Sequence, residues 1–237
     1  MVRSQGYSTR RLKTLQSAYY NKPSPLQRAS YEIRMIDVVK AFDHDTLASA
    51  MEAGLSPNPC NAYSESLVHM VSRRGDAKAL HITMENGCSV QVADDYGRTP
   101  LHDCCWAFKP AFDVAEYILE IDVRLMQMTD CRGASPLSYV RKENWAFWIE
   151  FLEHKKDIFW PQRDLAKDGE EEPPALAMLG VNTQPLPVPA NALSLVLADM
   201  VVSGKMQPEE VLFLHYAQGD GDTWDLSDDD SEYDSDG

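Results

Sequence analysis

The nine residues Asp94-Asp-Tyr-Gly-Arg-Thr-Pro-Leu-His102 are the most informative part of this 237-residue sequence. Gly97 suits a tight turn that needs a positive φ, because glycine has no Cβ to clash in that conformation. Thr99 followed by Pro100 matches a hydroxyl N-cap with proline at the first helical position. His102, three residues after Thr99, is placed for its imidazole to bridge this cap and a neighbouring loop carbonyl. The stretch therefore predicts a turn that leads directly into a helix.

The same pattern occurs on both sides of this stretch. Asn61-Ala-Tyr-Ser-Glu-Ser-Leu-Val-His69 lies 33 residues earlier, so that His69 aligns with His102. Asp130-Cys-Arg-Gly-Ala-Ser-Pro-Leu-Ser138 lies 36 residues later, and an insertion around positions 109–112 accounts for the longer spacing. Self-similarity at such a period indicates a repeat architecture.

Two further pairs of positions share the 33-residue spacing. Ser64 aligns with Gly97, and Gly54 aligns with Gly87. The second pair implies an earlier, degenerate unit before residue 60. Each unit also has apolar residues at helical spacing in a second helix, which predicts that the units bury a shared core by stacking. These residues are Leu80 and Met84, then Val114, Tyr117 and Ile118, then Trp148, Ile149, Phe151 and Leu152.

The pattern resembles the ankyrin repeat, whose family motif runs D-x-x-G-x-T-P-L-H-x-A-A before a second helix that ends in Gly-Ala. The match is carried by Asp94, Gly97, Thr99, Pro100, Leu101 and His102. The unit from Asp130 keeps Gly133 and Pro136 but has Ser138 in place of the family's histidine. The unit from Asn61 keeps His69 but lacks the Gly and the Thr-Pro. The resemblance covers roughly residues 30–160, a little over half of the chain.

This resemblance implies an all-α fold, a stack of about four ankyrin-like helix-turn-helix units over residues 28–160. The units span 28–59 (degenerate), 61–93, 94–129 and 130–160. The aromatic region Trp145–Pro161 is expected to fill the core of the last unit and seal the end of the stack.

The segments outside the repeats differ from them in composition. Residues 1–27 form a basic arm, 161–190 a Pro- and Glu-rich linker, and 219–237 an acidic tail with few hydrophobes, which predicts disorder. Residues 191–218 contain two short amphipathic helices, because Leu193, Val196, Leu197, Met200 and Val201 follow the helical rule and Gly204 suits the end of the first helix. Two alternatives are open for these helices: docking on the repeats, which we favour, or contact with another protein.

The net charge of −15 is unevenly distributed. Residues 1–30 carry six basic and no acidic side chains, and 219–237 carry nine acidic and no basic ones, which leaves −12 for residues 31–218. Such a charge argues against direct nucleic-acid binding, which depends on clustered Lys and Arg. It suggests a basic protein segment as partner, including the chain's own N-terminus.

Compartment follows from the cysteines and the first residues. The five scattered cysteines predict reduced thiols and a cytoplasmic or nuclear protein. The acid-free, Arg- and Ser-rich first thirty residues also share the composition of an organelle transit peptide, but a basic arm lying on an acidic body is the preferred interpretation. No apolar run is long enough for a membrane span.

The sequence predicts neither a catalytic nor a metal site, and no cofactor. His102, Cys104 and Cys105 lie together, but the two cysteines occupy the small positions where adjacent first helices of such repeats pack. Zinc would also require a fourth ligand and spaced ligand pairs. The sequence contains no nucleophile elbow, P-loop or dinucleotide-binding glycine motif. We therefore expect a protein without enzymatic activity.

By the resemblance, partners bind to the turn tips and the exposed face of the first helices. The candidate residues are Tyr63, Arg73, Arg74, Tyr96, Arg98, Trp106, Arg132, Tyr139 and Lys142. Tyr96, Trp106 and Tyr139 are expected to form an aromatic stripe, since Trp, Tyr and Arg are enriched at binding hot spots. The alternative is that Trp106 packs against the insertion at 109–112.

The predicted function is that of a monomeric, non-catalytic adaptor whose repeat groove binds a protein or peptide. In the alternative, the protein is a nuclear, transcription-type regulator that recruits through its acidic tail. Ser227 and Ser231 precede acidic residues by three positions, the pattern that acidophilic kinases prefer, and are candidate phosphorylation sites.

Overall fold

The chain is mostly helical in a computed structural model, which describes residues 1–20, 22–164, 186 and 188–218. The predicted acidic tail and most of the linker lie outside this described part. The described residues form ten α-helices: α1 Pro25–Ala29, α2 Ile33–Ala41, α3 His44–Glu52, α4 Leu67–Arg74, α5 Ala77–Glu85, α6 Pro100–Trp106, α7 Phe112–Ile121, α8 Trp145–Phe159, α9 Leu195–Val202 and α10 Pro208–Gln218. None of these helices is long and apolar enough to cross a membrane.

Short elements connect and flank the helices. The 3₁₀-helices span Val2–Gln5, Thr14–Gln16, Val123–Gln127, Pro136–Tyr139 and Lys142–Asn144. Strands β1 (Leu12–Lys13) and β2 (Met128–Thr129) pair in parallel, with Leu12 opposite Met128.

The central helices lie in two rows. In one row α2 packs against α4 and α4 against α6, while in the other α3 packs against α5, α5 against α7 and α7 against α8. The core between the rows is apolar and closed to solvent, and its fully buried side chains include Leu47, Leu67, Leu80, Leu101 and Ile118. Burying a side chain of this size contributes roughly 1.5–3 kcal/mol, so the shared interior is the main source of stability.

The unit from Asp130 departs from the predicted helix-turn-helix. Its first helix is the single 3₁₀ turn Pro136–Tyr139, and the backbone becomes extended at Val140. In place of an imidazole at the third helical position, Ser138 only approaches the cap residue Ser135, with 3.3 Å between their hydroxyl oxygens. The cap therefore lacks the bridge that holds the equivalent helix in the preceding unit.

Helix α8 seals the core with only part of its aromatic surface. Trp148, Phe151 and Phe159 are buried, and Phe112 stacks on Phe151 with ring centroids 4.6 Å apart. Ile149, which the helical spacing places with the core residues, is instead 63% exposed. The exposed face of α8 also carries Trp145 and Phe147.

Residues 1–20 of the arm predicted over residues 1–27 lie against the body of the protein, whereas helix α1 begins within the predicted arm, at Pro25. β1 pairs with β2, Gln5 Nε2 donates to Asp157 Oδ1 at 2.6 Å, and the Tyr19 hydroxyl donates to the Asp122 carboxylate. Tyr20 OH donates to Asp95 Oδ1 at 3.1 Å. Neutral donors and backbone pairing thus attach the arm to carboxylates near the last units.

The C-terminal helices dock on the opposite end, which confirms the favoured alternative. Helix α9 packs against α1 and α2, and α10 packs against α3. The buried residues of α9 are Ala198, Val201 and Val202. Val196, expected on the apolar face, is 70% exposed. Helical spacing counted from Leu193 does not mark the buried face, because Ser194 caps the helix and Leu193 packs from outside it.

Candidate functional site

The turn before α6 is held by the aspartate that opens the motif. The Asp94 carboxylate accepts hydrogen bonds from the backbone N–H of Tyr96 (3.0 Å) and of Arg98 (2.8 Å), and from Arg98 Nε (2.6 Å). Gly97 takes the expected left-handed conformation with φ of +79°. The guanidinium of Arg98 is thereby attached to the turn itself.

The next turn repeats this arrangement. Asp130 accepts hydrogen bonds from the backbone N–H of Arg132 (2.9 Å) and Ala134 (2.8 Å), and from Tyr139 OH (2.7 Å). Gly133 has φ of +85°. Although burial opposes it, the hydrogen bonds from Tyr139 and the turn lower the pKa of Asp130. The carboxylate therefore remains charged and keeps Arg132 and Tyr139 together at the tip.

Backbone hydrogen bonds connect successive tips. Asp95 N–H donates to the Tyr63 carbonyl at 2.9 Å, and Cys131 N–H donates to the Tyr96 carbonyl at 2.8 Å. The rings of Tyr63 and Tyr96 lie side by side, with centroids 6.4 Å apart. Ser64, which aligns with Gly97, also adopts a positive φ of +61°. The tips therefore form a regular edge along one side of the helices.

His102 makes the bridge that the sequence predicts. The Thr99 N–H donates to His102 Nδ1 at 3.0 Å, so this nitrogen carries no proton, and Nε2 donates to the Ala134 carbonyl at 3.2 Å. Burial lowers the pKa of His102 to about 4. The imidazole is therefore neutral near pH 7 and joins one unit to the turn of the next.

His69 repeats the same contacts one unit earlier. Its Nδ1 accepts from the Ser66 N–H at 3.2 Å, and its Nε2 donates to the Arg98 carbonyl at 2.9 Å. The equivalent contacts, 33 residues apart, hold α4 and α6 in a matching orientation relative to the tips.

A cleft of about 600 Å³ is bordered by the ends of α2, α4 and α6 and by the segment that follows α6. Its lining residues are five cations, Lys40, Arg73, Arg74, Lys109 and Arg141, and four apolar residues, Met70, Trp106, Ala107 and Phe108. We call these nine residues the basic cleft. Among the described residues, no carboxylate lines it. This composition is the opposite of the chain's overall charge.

Two of the arginines are fixed against aromatic rings and carbonyls. Arg74 lies over the Phe42 ring at 4.9 Å from the centroid and donates to the Lys40 carbonyl at 2.7 Å. Arg141 lies over the Phe108 ring at 5.4 Å and donates from Nε to the Trp106 carbonyl at 3.3 Å. Neither contact involves an anion, and no ion pair within the described part of the chain involves Arg74 or Arg141.

Arg73 differs from these two because carboxylates neutralise it. Its guanidinium lies 2.6 Å from Glu65 Oε1 and 3.3 Å from Asp103 Oδ1. Although burial opposes it, the pair with Arg73 lowers the pKa of Glu65. Burial raises the pKa of Asp103, whose Oδ2 is enclosed without a hydrogen-bond partner in the described part of the chain. Arg73 is therefore held in place by carboxylates and has a structural role in the cleft.

The basic cleft continues toward the tips through two smaller cavities. One, of about 430 Å³, shares Trp106 and Arg141 with the cleft and adds Arg132 and Tyr139. The other, of about 390 Å³, shares Arg132 and Tyr139 and extends to Tyr96. The Trp106 and Tyr139 rings lie 5.7 Å apart, and Trp106 is 46% exposed. The structure thus brings the predicted aromatic residues onto one continuous face.

The candidate residues fall into three groups. Arg73, Arg74, Trp106, Arg132 and Tyr139 line this face, as do Tyr96 and Arg98 at the tips. Tyr63 lies beside Tyr96 at the edge. Lys142 is exposed at the start of its 3₁₀-helix and lines none of these cavities. Ser227 and Ser231 lie outside the described residues.

Six residues of the basic cleft are not among these nine candidates. Met70, Ala107 and Arg141 belong to the exposed face of the first helices that the resemblance implicates, whereas Lys40, Phe108 and Lys109 were not predicted. Lys40 belongs to the degenerate first unit, where no motif marks which positions face the groove. Phe108 and Lys109 stand at the insertion, where the repeat alignment ends. The spacing of Lys40 and Arg73, one 33-residue period apart, was the available signal.

Four of the five cysteines are buried in the described structure, and Cys131 is exposed. Cys104 and Cys105 are buried between the helices, as predicted for core residues, and burial raises the pKa of both thiols. Burial likewise raises the pKa of Cys60 to about 12. Within the described residues, no three His, Cys, Asp or Glu side chains are grouped so that they could hold a metal ion.

Comparison with known proteins adds no assignment. No protein-family model matches the chain, and no curated protein matches it. The function must therefore be argued from the geometry of this face.

Proposed function

We propose that this chain is a non-catalytic interaction protein of the ankyrin-repeat type, which binds a protein or peptide along the face formed by the basic cleft and the aromatic tips. The observation that carries the proposal is the continuity of this face. The basic cleft shares Trp106 and Arg141 with the cavity of about 430 Å³. That cavity shares Arg132 and Tyr139 with the cavity of about 390 Å³.

The repeat assignment is supported by contacts that recur at one period. His69 and His102 each join a hydroxyl cap to the carbonyl of the following turn. The tips at Asp95 and Cys131 each donate a backbone hydrogen bond to the tip before them. Units stacked in register in this way present equivalent positions side by side, which is how repeat proteins build extended binding surfaces.

The composition of the face also favours binding. Trp, Tyr and Arg dominate binding hot spots because they offer a large contact area at a low entropy cost. Here the exposed aromatic side chains include Tyr63, Tyr96, Trp106 and Phe108, which are between 46% and 76% accessible. Exposing aromatic rings to water is unfavourable, so their clustering on one face is typical of an interaction site.

The test is affinity capture with the full chain as bait. The double variant Trp106→Ala with Arg74→Ala removes one aromatic and one cationic contact from the face. The matched control is Phe147→Ala, which deletes an exposed aromatic ring of α8 outside the face. We expect the double variant to lose partners that the wild-type chain and the control both retain.

Circular dichroism and urea unfolding establish that all three proteins are folded. If every partner captured by the wild-type chain is also captured by the double variant, the proposed binding face is wrong.

A further inference from the structure

The charge of the basic cleft is the feature with the most specific chemical meaning. Five of its nine lining residues are cations, within a chain whose formal charge is −15. We propose that the basic cleft binds an acidic peptide segment of another protein, one that carries carboxylates together with at least one large apolar side chain. This inference rests on the proposed function and names the chemistry of the partner.

The cations differ in how much charge they can offer to a ligand. Arg73 is paired with Glu65 and Asp103, and Lys40 forms an exposed ion pair with Asp37 at 3.3 Å. The remaining three are Arg74, Lys109 and Arg141, and none of the ion pairs among the described residues involves them. The cleft therefore has about three positive charges available for carboxylates.

Two of the three available cations are also held in place before a ligand arrives. Arg74 is fixed by the Lys40 carbonyl and the Phe42 ring, and Arg141 by the Trp106 carbonyl and the Phe108 ring. A guanidinium has five N–H donors, so each retains donors for a bidentate carboxylate contact. Fixing these side chains in advance lowers the entropy cost of binding.

Because part of the cleft lining is apolar, the ligand must offer apolar surface as well as negative charge. Trp106 and Phe108 are 46% and 76% exposed, and Met70 and Ala107 also line the cleft. A ligand with only anionic side chains would leave these apolar surfaces exposed to water. An acidic segment with a Trp, Leu or Phe would cover them and place its carboxylates on the arginines.

A peptide fits this site better than a nucleic acid. The positive charge is local, while residues 31–218 as a whole carry −12. A nucleic acid presents phosphates along its whole length, and an acidic chain repels them over the screening distance of about 8 Å. A short acidic segment can place its charges in the cleft alone.

The experiment uses fluorescence anisotropy with the full chain and a labelled twelve-residue probe of Asp and Glu residues around one Trp and one Leu. The comparison probes are the same peptide with Lys at every acidic position and a twelve-nucleotide single-stranded DNA. We expect the acidic peptide to bind, more weakly as salt rises, and neither comparison probe to bind comparably.

Charge-reversal variants test the location. Arg74→Glu and Arg141→Glu should each weaken binding of the acidic probe about tenfold or more. Lys205→Glu makes the same change of charge at an exposed lysine outside the cleft and should change affinity less than about twofold. Equal effects of all three variants, or equal binding of the DNA or Lys probe, would overturn the proposal. All variants are first shown to unfold cooperatively in urea.

The chain's own residues 219–237, with nine acidic side chains, are a possible competitor and need a separate arm. A full-length variant with these nine replaced by Asn or Gln should bind the probe at least as tightly as the wild-type chain. Tighter binding would mean that the tail competes for the cleft in cis. If neither protein binds the probe, the acidic-peptide proposal fails. Capture of partners that depends on Trp106 would in that case leave the proposed function standing.

Discussion

The attachment of α9 can be tested at a single glycine, because Gly54 lies directly beneath the C-terminal segment. Gly54 has φ of +102°, and a Cβ built at this position would lie 2.1 Å from the Asn191 carbonyl oxygen. Gly87 is the equivalent position one period later, with φ of +89°, and its Cβ would meet nothing nearer than 4.0 Å. Gly54→Ala and Gly87→Ala thus share the backbone strain, and only Gly54→Ala adds a collision.

The magnitudes follow from the contacts. An alanine in the left-handed region costs about 1–2 kcal/mol, which is the whole effect expected for Gly87→Ala. Relieving the collision at Gly54 also breaks the hydrogen bonds from Leu193 N–H to the Gly54 carbonyl (3.0 Å) and from Asn191 Nδ2 to the Glu52 carbonyl (2.7 Å). These contribute about 1 kcal/mol each, and partial exposure of Leu193 adds about 1 kcal/mol. Gly54→Ala should therefore cost about 3 kcal/mol more than Gly87→Ala.

Urea unfolding of the two variants measures this difference, which corresponds to about 6–12 °C in melting temperature for a chain of this size. Hydrogen exchange provides a local readout, since amides of α9 should lose protection in Gly54→Ala alone. If both variants are equally destabilised and α9 remains equally protected, the described docking of residues 191–202 on the first helices is wrong.

Three further predictions concern the turns and the arm. His102 has a pKa of about 4 in the folded chain, against an ordinary value of 6.5. Between these two pH values the unfolded chain binds one proton more than the folded chain, so the free energy of unfolding falls as the pH is lowered. Urea unfolding should show a loss of about 2 kcal/mol from pH 7 to pH 5, with a flatter pH profile in His102→Gln. Gly97→Ala should lower the free energy of unfolding more than Gly133→Ala in the same assay. A Cβ at Gly97 would lie 3.2–3.4 Å from atoms of the arm and the next turn, whereas a Cβ at Gly133 would meet nothing within 4 Å. Equal losses of stability in the two variants would contradict the placement of the arm. Tyr19→Phe should cost about 1.5–3 kcal/mol by removing the hydrogen bond to the Asp122 carboxylate, and thermal melting that is unchanged would show that this contact is not made.

Local chemistry explains why the turns and caps could be predicted from the sequence. The hydrogen bonds of Asp94, Thr99 and His102 are made largely within the nine residues 94–102. Gly97 has the positive φ that this turn requires, and few other residue types adopt it without strain. Where this local set is incomplete, as at Ser138, the predicted helix is reduced to one 3₁₀ turn.

The basic cleft could not be predicted from charge, because net charge averages over the whole surface. Lys40, Arg74 and Arg141 come from different units, and only packing of the helices brings them together. The overall charge of −15 suggests a basic partner, whereas the local charge of the cleft favours an acidic one. The helical spacing counted from Leu193 also placed Val196 on the buried face, but Leu193 lies before the helix and Val196 is exposed.

The N-terminal arm contacts the last units, and the C-terminal helices contact the first ones. This arrangement affects the order in which the chain can fold during synthesis. Leu12 pairs with Met128, and Leu193 N–H hydrogen-bonds to the Gly54 carbonyl. Each end therefore contacts residues that are far from it in the sequence. A simple repeat array can begin folding at any unit and grow outward. Here, the arm of a nascent chain remains without its strand partner until residue 129 has left the ribosome, and α1 and α2 remain without α9 until residue 202 has been made. Contacts of such long sequence separation slow folding, so the docking of α9 and α10 on the first unit is expected to be a late step in folding.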